Sequence, residues 1–280
     1  MSFYSGTNFF MITAIFRVAM RYLSIILSLL MVFGPLQAQA EPRPLIVLAT
    51  VDTSSERINL ISGRISAEKP GWFVELSRRA ADRCGAEIDF AFMPWPRALE
   101  MVKDGKVEAA FNSSFLPERA VYGQYPMKDG KPDESRASKL YAYHAYVHRD
   151  STDKQFRDEP DVNNRVLAVE PQASINPELV KRGGQLQEVD TYLQALRMAA
   201  LRRVDAAVGI DHNFDPLLDR HPDLKAMIRK VGKPVHKKVG YVMFSKIYYA
   251  KNKELVECFW DQYAALRQTS WFKQMREAYR

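Results

Sequence analysis

Cysteine is scarce in this chain. Two residues, Cys84 and Cys258, are all it has among 280, and at that separation they make no zinc pair. Five histidines, at positions 144, 148, 212, 221 and 236, show no metal-ligand spacing either. A Gly-x-Ser-x-Gly elbow is missing, as is a glycine-rich loop of the kind that cradles phosphate. These absences leave no motif for serine hydrolysis, nucleotide binding or metal chemistry. No apolar run reaches the roughly 20 residues that a membrane-spanning helix needs. The first 40 residues contain no acidic side chain at all.

That acid-free start carries Arg17 and Arg21, an apolar stretch from Tyr22 to Phe33, the breaker Gly34-Pro35, and Ala38-Gln39-Ala40. Cationic start, apolar middle and small-x-small site form the pattern of a secretory signal peptide over residues 1–40. Met20 is a second possible start, since a conventional leader begins there. Without the leader the chain holds 38 basic and 33 acidic side chains, a formal charge of +5. In an exported protein that surplus implies no nucleic-acid partner; it fits a solvated surface, or a field that draws anionic solutes. Export to an oxidising compartment permits a Cys84–Cys258 bridge, and two buried thiols fit equally well.

The mature chain contains a repeat. Aligned without a gap, Arg97 to Phe111 (RALEMVKDGKVEAAF) faces Gln194 to Val208 (QALRMAALRRVDAAV), matching Ala98/Ala195, Leu99/Leu196, Met101/Met198, Val107/Val204, Glu108/Asp205, Ala109/Ala206 and Ala110/Ala207. Each copy reads as an amphipathic helix, a tight turn and a short apolar strand, half of a βαβ unit. Around the copies, Pro44 to Val51, Ile88 to Phe92 and Val107 to Phe111 read as strands. So do Val166 to Val169, Leu186 to Val189 and Ala206 to Ile210, with helices between. Glu75, Glu108 and Asp205 read as water-exposed helix or turn residues, and Leu217 to Lys230 as a helix. Strands alternating with helices at this spacing imply an α/β fold of two lobes with largely parallel central sheets. Leu140 to Arg149 and Val239 to Phe244 read as strands that cross between the lobes, making a two-crossing hinge. The carboxyl-terminal stripes Leu255/Phe259/Leu266 and Trp271/Met275/Tyr279 need a surface to cover. Packing them on the first lobe makes it discontinuous, residues 41–143 with 241–280, around a second lobe at 144–240.

In open parallel sheets ligands bind beyond the carboxyl ends of the strands. That rule selects Asp52 and Thr53 after the first strand, Trp95 after the second, and Asn112, Ser113 and Ser114 after the third. From the second lobe it selects Gln172, Ala173 and Ser174, and Asp211, which the repeat aligns with Ser114. Arg119 falls on a short helix at the rim. Trp95 suits stacking on a ligand and equally suits a packing wedge between two prolines.

The stretch PWPRALEMVKDGKVEAAFNSSFLPER (Pro94 to Arg119) resembles the family 3 extracellular solute-binding proteins of ABC importers. The resemblance covers essentially the whole mature chain and is clearest over Pro70 to Pro126 and Tyr192 to Asp211. It implies that Arg119, in Leu116-Pro117-Glu118-Arg119, clamps a ligand carboxylate, a task suited to its planar fork. It further implies that Asp211 is the nearest equivalent of the aspartate that holds a ligand ammonium. Three positions depart from the family pattern. Gln172-Ala173-Ser174 replaces the glycine-led anion-binding turn, Leu116 stands where threonine is expected, and Asp211 lies one residue late. Those departures argue against an ordinary α-amino acid and leave a small polar or anionic solute.

The expected protein is therefore a monomeric periplasmic receptor, without cofactor or metal. It captures a small polar or carboxylate-bearing, amino-acid-like solute between two lobes and passes it to an ABC permease. Alternatives on the same scaffold are a sensing module for a membrane signalling protein, and a cyclohexadienyl-dehydratase-like enzyme using Glu170.

Overall fold

The computed structural model describes residues 42–51, 57–151, 156 and 160–279. The leader segment 1–40 and the candidate residues Asp52 and Thr53 lie outside the described residues. Eight strands form the path of one curled sheet: β1 (Leu45–Thr50), β2 (Glu87–Phe92), β3 (Ala109–Ser114), β4 (Lys139–His148), β5 (Val166–Val169), β6 (Gln185–Glu188), β7 (Ala206–Ile210) and β8 (His236–Ser245). Their order is β6-β5-β7-β4-β8-β3-β1-β2, and short strands at 123–124 and 228–230 pair onto β8 and β4.

Parallel pairing is confined to two trios, β2-β1-β3 and β6-β5-β7. Between them stand β4 and β8, antiparallel to their neighbours and to each other. Each of these long strands serves both halves. β8 pairs β4 through His236–Gly240 and then β3 through Gly240–Phe244. β4 pairs β8 through Lys139–Tyr143 and then β7 through Tyr143–Tyr146. The fold is thus α/β with two lobes joined by two crossing strands.

Both faces of the central strands β1 and β5 are buried, which explains why they read as continuous apolar runs. In β1, Ile46 and Leu48 enter one cluster with Phe73, Phe111 and Phe259, whereas Val47 and Ala49 face another with Leu99, Val102 and Tyr241. In β5, Leu167 and Val169 point one way, and Val166 and Ala168 the other. Helices α1 (Trp72–Arg83) and α2 (Trp95–Lys103) cover the first trio; α3 (Asn176–Lys181), α4 (Tyr192–Ala200) and α5 (Asp211–Arg220) cover the second. Gly71 opens α1 at φ 108°, and a Cβ there would stand 2.2 Å from the Arg57 carbonyl oxygen, so only glycine fits.

The carboxyl-terminal helices α6 (Lys253–Arg267) and α7 (Ser270–Ala278) pack against α1 of the first lobe. Val256, Phe259, Trp260, Tyr263 and Leu266 join the cluster of Phe73 and Leu76. Of the two open states of the cysteines, the structure has the disulfide, Cys84 to Cys258, tying the end of α1 to α6.

Several sequence expectations differ from the structure. β3 runs on through Ser114 instead of stopping at Phe111, because Ser113 and Ser114 pair with Tyr241 and Gly240 of β8. The helix expected over Leu217 to Lys230 starts at Asp211, straight after β7, and breaks at His221. Pro222 then begins a further short helix, and Ile228–Lys230 pair with β4. Glu75 is not simply solvated, since it accepts a hydrogen bond from the Tyr279 hydroxyl of α7.

Nor are Glu108 and Asp205 idle turn residues. The Glu108 carboxylate accepts from the Val47 amide at 2.7 Å while its own amide donates to the Val47 carbonyl at 3.2 Å. Asp205 does the same to Val166, at 2.8 and 2.9 Å. One acidic residue per lobe thus satisfies the first central strand where the ladder begins.

Candidate functional site

Beyond the carboxyl ends of both trios lies a cleft of ≈540 Å³, open mouth included. Thr50, Trp95, Asn112 and Arg119 line it from the first lobe; Glu170, Ser174, Tyr192, His212 and Asn213 line it from the second. Tyr141 and Tyr143 of the crossing strand β4 form its floor.

Asn112 owes its place to a backbone irregularity. The register of β3 against β8 shifts between Tyr241 and Met243, and Asn112 takes up the extra residue at φ 64°. Such bulges re-aim a side chain, and asparagine tolerates the left-handed region better than most residues. Its Oδ1 is buried without a hydrogen-bond partner. It occupies the space beside Gly240, whose Cβ, if present, would stand 2.0 Å away. Gln172, across the cleft, is likewise left-handed at φ 56°.

Arg119 is buried at 3% exposure and sits in tight turns following Leu116, not on a helix at the rim. Its guanidinium donates to the Ser114 carbonyl at 3.1 Å and to the Gln172 carbonyl at 2.6 Å, and it lies 5.4 Å from the Trp95 ring centroid. Further links cross the cleft. Arg57 Nη2 meets Asn213 Oδ1 at 3.3 Å, and Lys139 Nζ meets His212 Nδ1 at 3.5 Å. The Ser174 hydroxyl lies 3.4 and 3.3 Å from the hydroxyls of Tyr141 and Tyr143, and Tyr141 also bonds Ser114. The lobes are in contact.

Trp95, Asn112, Arg119 and Ser174, all selected from the sequence, line the cleft together. Ser113 and Ser114 stand behind it, engaged with Tyr125 and Tyr141. Gln172 reaches it through its carbonyl, which Arg119 holds. Asp211 is the first residue of α5 and faces its neighbour His212, whose amide donates to it at 2.7 Å. Burial raises its carboxyl, but the hydrogen bonds and nearness of His212 outweigh this and bring it to about 2. His212 itself is held well below its ordinary value by burial and then by the Arg57 cation.

Sequence reasoning passed over Arg57, Tyr141, Tyr143, Tyr192, His212 and Asn213. For Tyr192 the signal was present. At the repeat's offset of 97 residues it is the counterpart of Trp95, and both are the first residue of a helix at the cleft. Glu170, weighed only as a catalytic residue, follows β5 directly and accepts from the Tyr192 hydroxyl at 2.5 Å. Burial pushes its carboxyl up to about 7, against the opposing influence of Tyr192 and Arg119. Among the described residues no group of three His, Cys, Asp or Glu side chains is placed to hold a metal ion.

Neither a protein-family model nor a curated protein sequence matches the chain. Solved structures do. A histidine kinase sensor domain with similarity to periplasmic binding proteins superposes with a TM-score of 0.66 at 19% identity, covering 86% of this chain and 97% of its own. The arginine-, lysine-, histidine-binding protein of Geobacillus stearothermophilus gives 0.65 at 14% identity, over 84% and 94%. An ancestral arginine-binding protein bound to arginine gives 0.64 at 15% identity, over 85% and 98%. With two α/β lobes, two crossing strands and a cleft at the strand ends, the fold of this chain is that of the periplasmic binding proteins.

Proposed function

We propose that the protein is a periplasmic receptor that holds a small polar or carboxylate-bearing solute in the interlobe cleft and delivers it to an ABC permease. The observation that carries this reading is Arg119: a buried guanidinium at the strand ends, beside an aromatic face and among hydroxyl and amide groups from both lobes. A guanidinium so placed suits a carboxylate, which can accept two charge-assisted hydrogen bonds from it. Trp95, Asn112 and Ser174 complete the ligand's surroundings; Asp211, turned to His212, has a weaker claim to touch it. The lobes comprise residues 41–143 with 241–280 and residues 144–240. The shared pairing of Lys139–Tyr143 with His236–Gly240 supports a hinge there. Closure then follows from differential affinity, because a ligand touching both lobes binds the closed form better than the open one.

The similarity to the sensor domain favours a second reading, in which the same site reports to a membrane signalling protein. A permease gene or a kinase gene beside this one separates the two. The test of the receptor itself is a thermal-shift screen of the mature chain over amino acids, polyamines and organic acids. A rise in melting temperature that Arg119→Ala abolishes is expected. A panel without any stabilising member, or a rise that survives Arg119→Ala, contradicts the reading.

A further inference from the structure

A second compartment adjoins the cleft. Its volume is ≈1300 Å³ with its open mouth included, and it shares Val51, Trp95, Glu170 and Tyr192 with the first. The chemistry of the two differs. Arg57, Arg119, Asn112, Ser174 and His212 bring charged and hydrogen-bonding groups into the first compartment, whereas Phe92, Met93, Pro96, Pro171, Leu193 and Leu217 make the second predominantly apolar, with Asp190, Thr191 and Arg220 also in its wall. The six apolar side chains are only half-buried, so each keeps apolar surface that a ligand would take out of water. They come from both lobes: Phe92 to Pro96 at the end of β2 and start of α2, the rest after β5 and on α4 and α5.

The boundary between the compartments is built from equivalent positions of the repeat. Trp95 and Tyr192 are the leading residues of α2 and α4. Glu170 is bonded to the Tyr192 hydroxyl, and the Arg119 guanidinium lies over the Trp95 face. Trp95 and Tyr192 line both compartments, so a molecule that reaches from Arg119 to the apolar walls meets an indole and a phenol ring on the way. Aromatic faces of this kind receive hydrocarbon and aryl groups on area and on ring geometry.

We propose that the solute is amphiphilic: a carboxylate head seated at Arg119, with an alkyl or aryl tail that runs between Trp95 and Tyr192 into the second compartment. This inference rests on the receptor reading above and adds the tail. It also accounts for the placement of Asp211, since a monocarboxylate with an apolar tail has no ammonium for it to hold.

The test is calorimetric titration of the mature chain with straight-chain monocarboxylates from acetate to decanoate and with phenylalkanoates, against wild type, Arg119→Ala and Leu193→Gln. Burial of each added methylene is worth up to about fourfold in affinity. A rise of about that size per carbon through the middle of the series, lost in Arg119→Ala and flattened in Leu193→Gln, is expected. Melting curves without ligand show whether the variants fold. Affinity that stays flat or falls with length, while short acids bind through Arg119, overturns the tail and leaves the receptor reading standing. Length-dependent binding that Arg119→Ala leaves unchanged overturns the head placement. If no carboxylate binds but another solute raises the melting temperature, the amphiphile inference fails and a receptor for a different ligand remains. If no solute of any class binds, both fail.

Discussion

The guanidinium of Arg119 and the main-chain carbonyl of Gln172 meet at 2.6 Å across the cleft. This contact does two things. It fastens the lobes to each other, and it holds a cation at the strand ends with the Ser114 carbonyl as its second acceptor. Because Arg119 is buried, removing it strands the Gln172 carbonyl as well as losing the bonds, while the Ser114 carbonyl keeps the Tyr125 hydroxyl as a donor. Arg119→Ala is expected to lower stability by roughly 1–3 kcal/mol, the cost of an unpaired buried acceptor. Arg119→Lys, a point charge without the planar fork, is expected to recover only part of it. Chemical denaturation of the three proteins checks this; equal midpoints contradict it.

Glu108 and Asp205 hold Val47 and Val166 in the same way. Each is expected to contribute about 1–2 kcal/mol as a charge-assisted bond to a central-strand amide. Glu108→Ala and Asp205→Ala should therefore cost similar amounts, and their effects should add, since the bonds lie in different lobes. Urea unfolding of the single and double variants measures it. A double variant much less stable than the sum would show that the lobes share these contacts.

These two residues show where the sequence was legible and where it was not. The duplicated helix, turn and strand stands out because Ala98/Ala195, Leu99/Leu196 and Val107/Val204 answer to local packing, which leaves a periodic trace. The strand-end rule then selects Trp95, Asn112 and Ser174, because topology alone decides which ends face the cleft, and the family resemblance adds Arg119. What it misses is set by single backbone torsions and long-range partners. The bulge at Asn112 depends on Gly240, more than a hundred residues away, and the acidic pair reads as solvated surface because its hydrogen-bond donors are main-chain amides of strands distant in the sequence. Tyr192, the repeat partner of Trp95, was within reach, since it stands only two residues ahead of the matched segment that starts at Arg97 and Gln194.

Glu170 sets a pH dependence. Burial raises its carboxyl from an ordinary 4.5 to about 7. Between those values the folded protein binds the proton that the unfolded chain has released, so stability falls as pH rises through the window. Above about 7 the full penalty applies; below about 4.5 it vanishes. The melting temperature of wild type is expected to fall from pH 5 to 7.5 relative to Glu170→Gln, which has no proton to lose. Parallel curves for the two contradict this.

Cys84 and Cys258 close a long loop that pins α6 to α1. A crosslink over such a span stabilises chiefly by restricting the unfolded chain, by roughly 2–5 kcal/mol. The Cys84→Ser/Cys258→Ser pair should unfold at a correspondingly lower denaturant concentration, with the cleft intact at low temperature. Oxidised and double-serine proteins with the same midpoint would remove the bridge from the account.

The central claim is that two lobes close on one solute between their strand ends, and the interlobe distance tests it most directly. Arg97 and Gln194 are exposed counterparts in the first turns of α2 and α4, one on each lobe. Spin labels at Arg97→Cys and Gln194→Cys, read by pulsed dipolar spectroscopy with the native disulfide intact, report that separation. A saturating solute from the thermal screen is expected to shift the distance distribution to a single, shorter and narrower peak. The same distribution with and without solute would contradict closure.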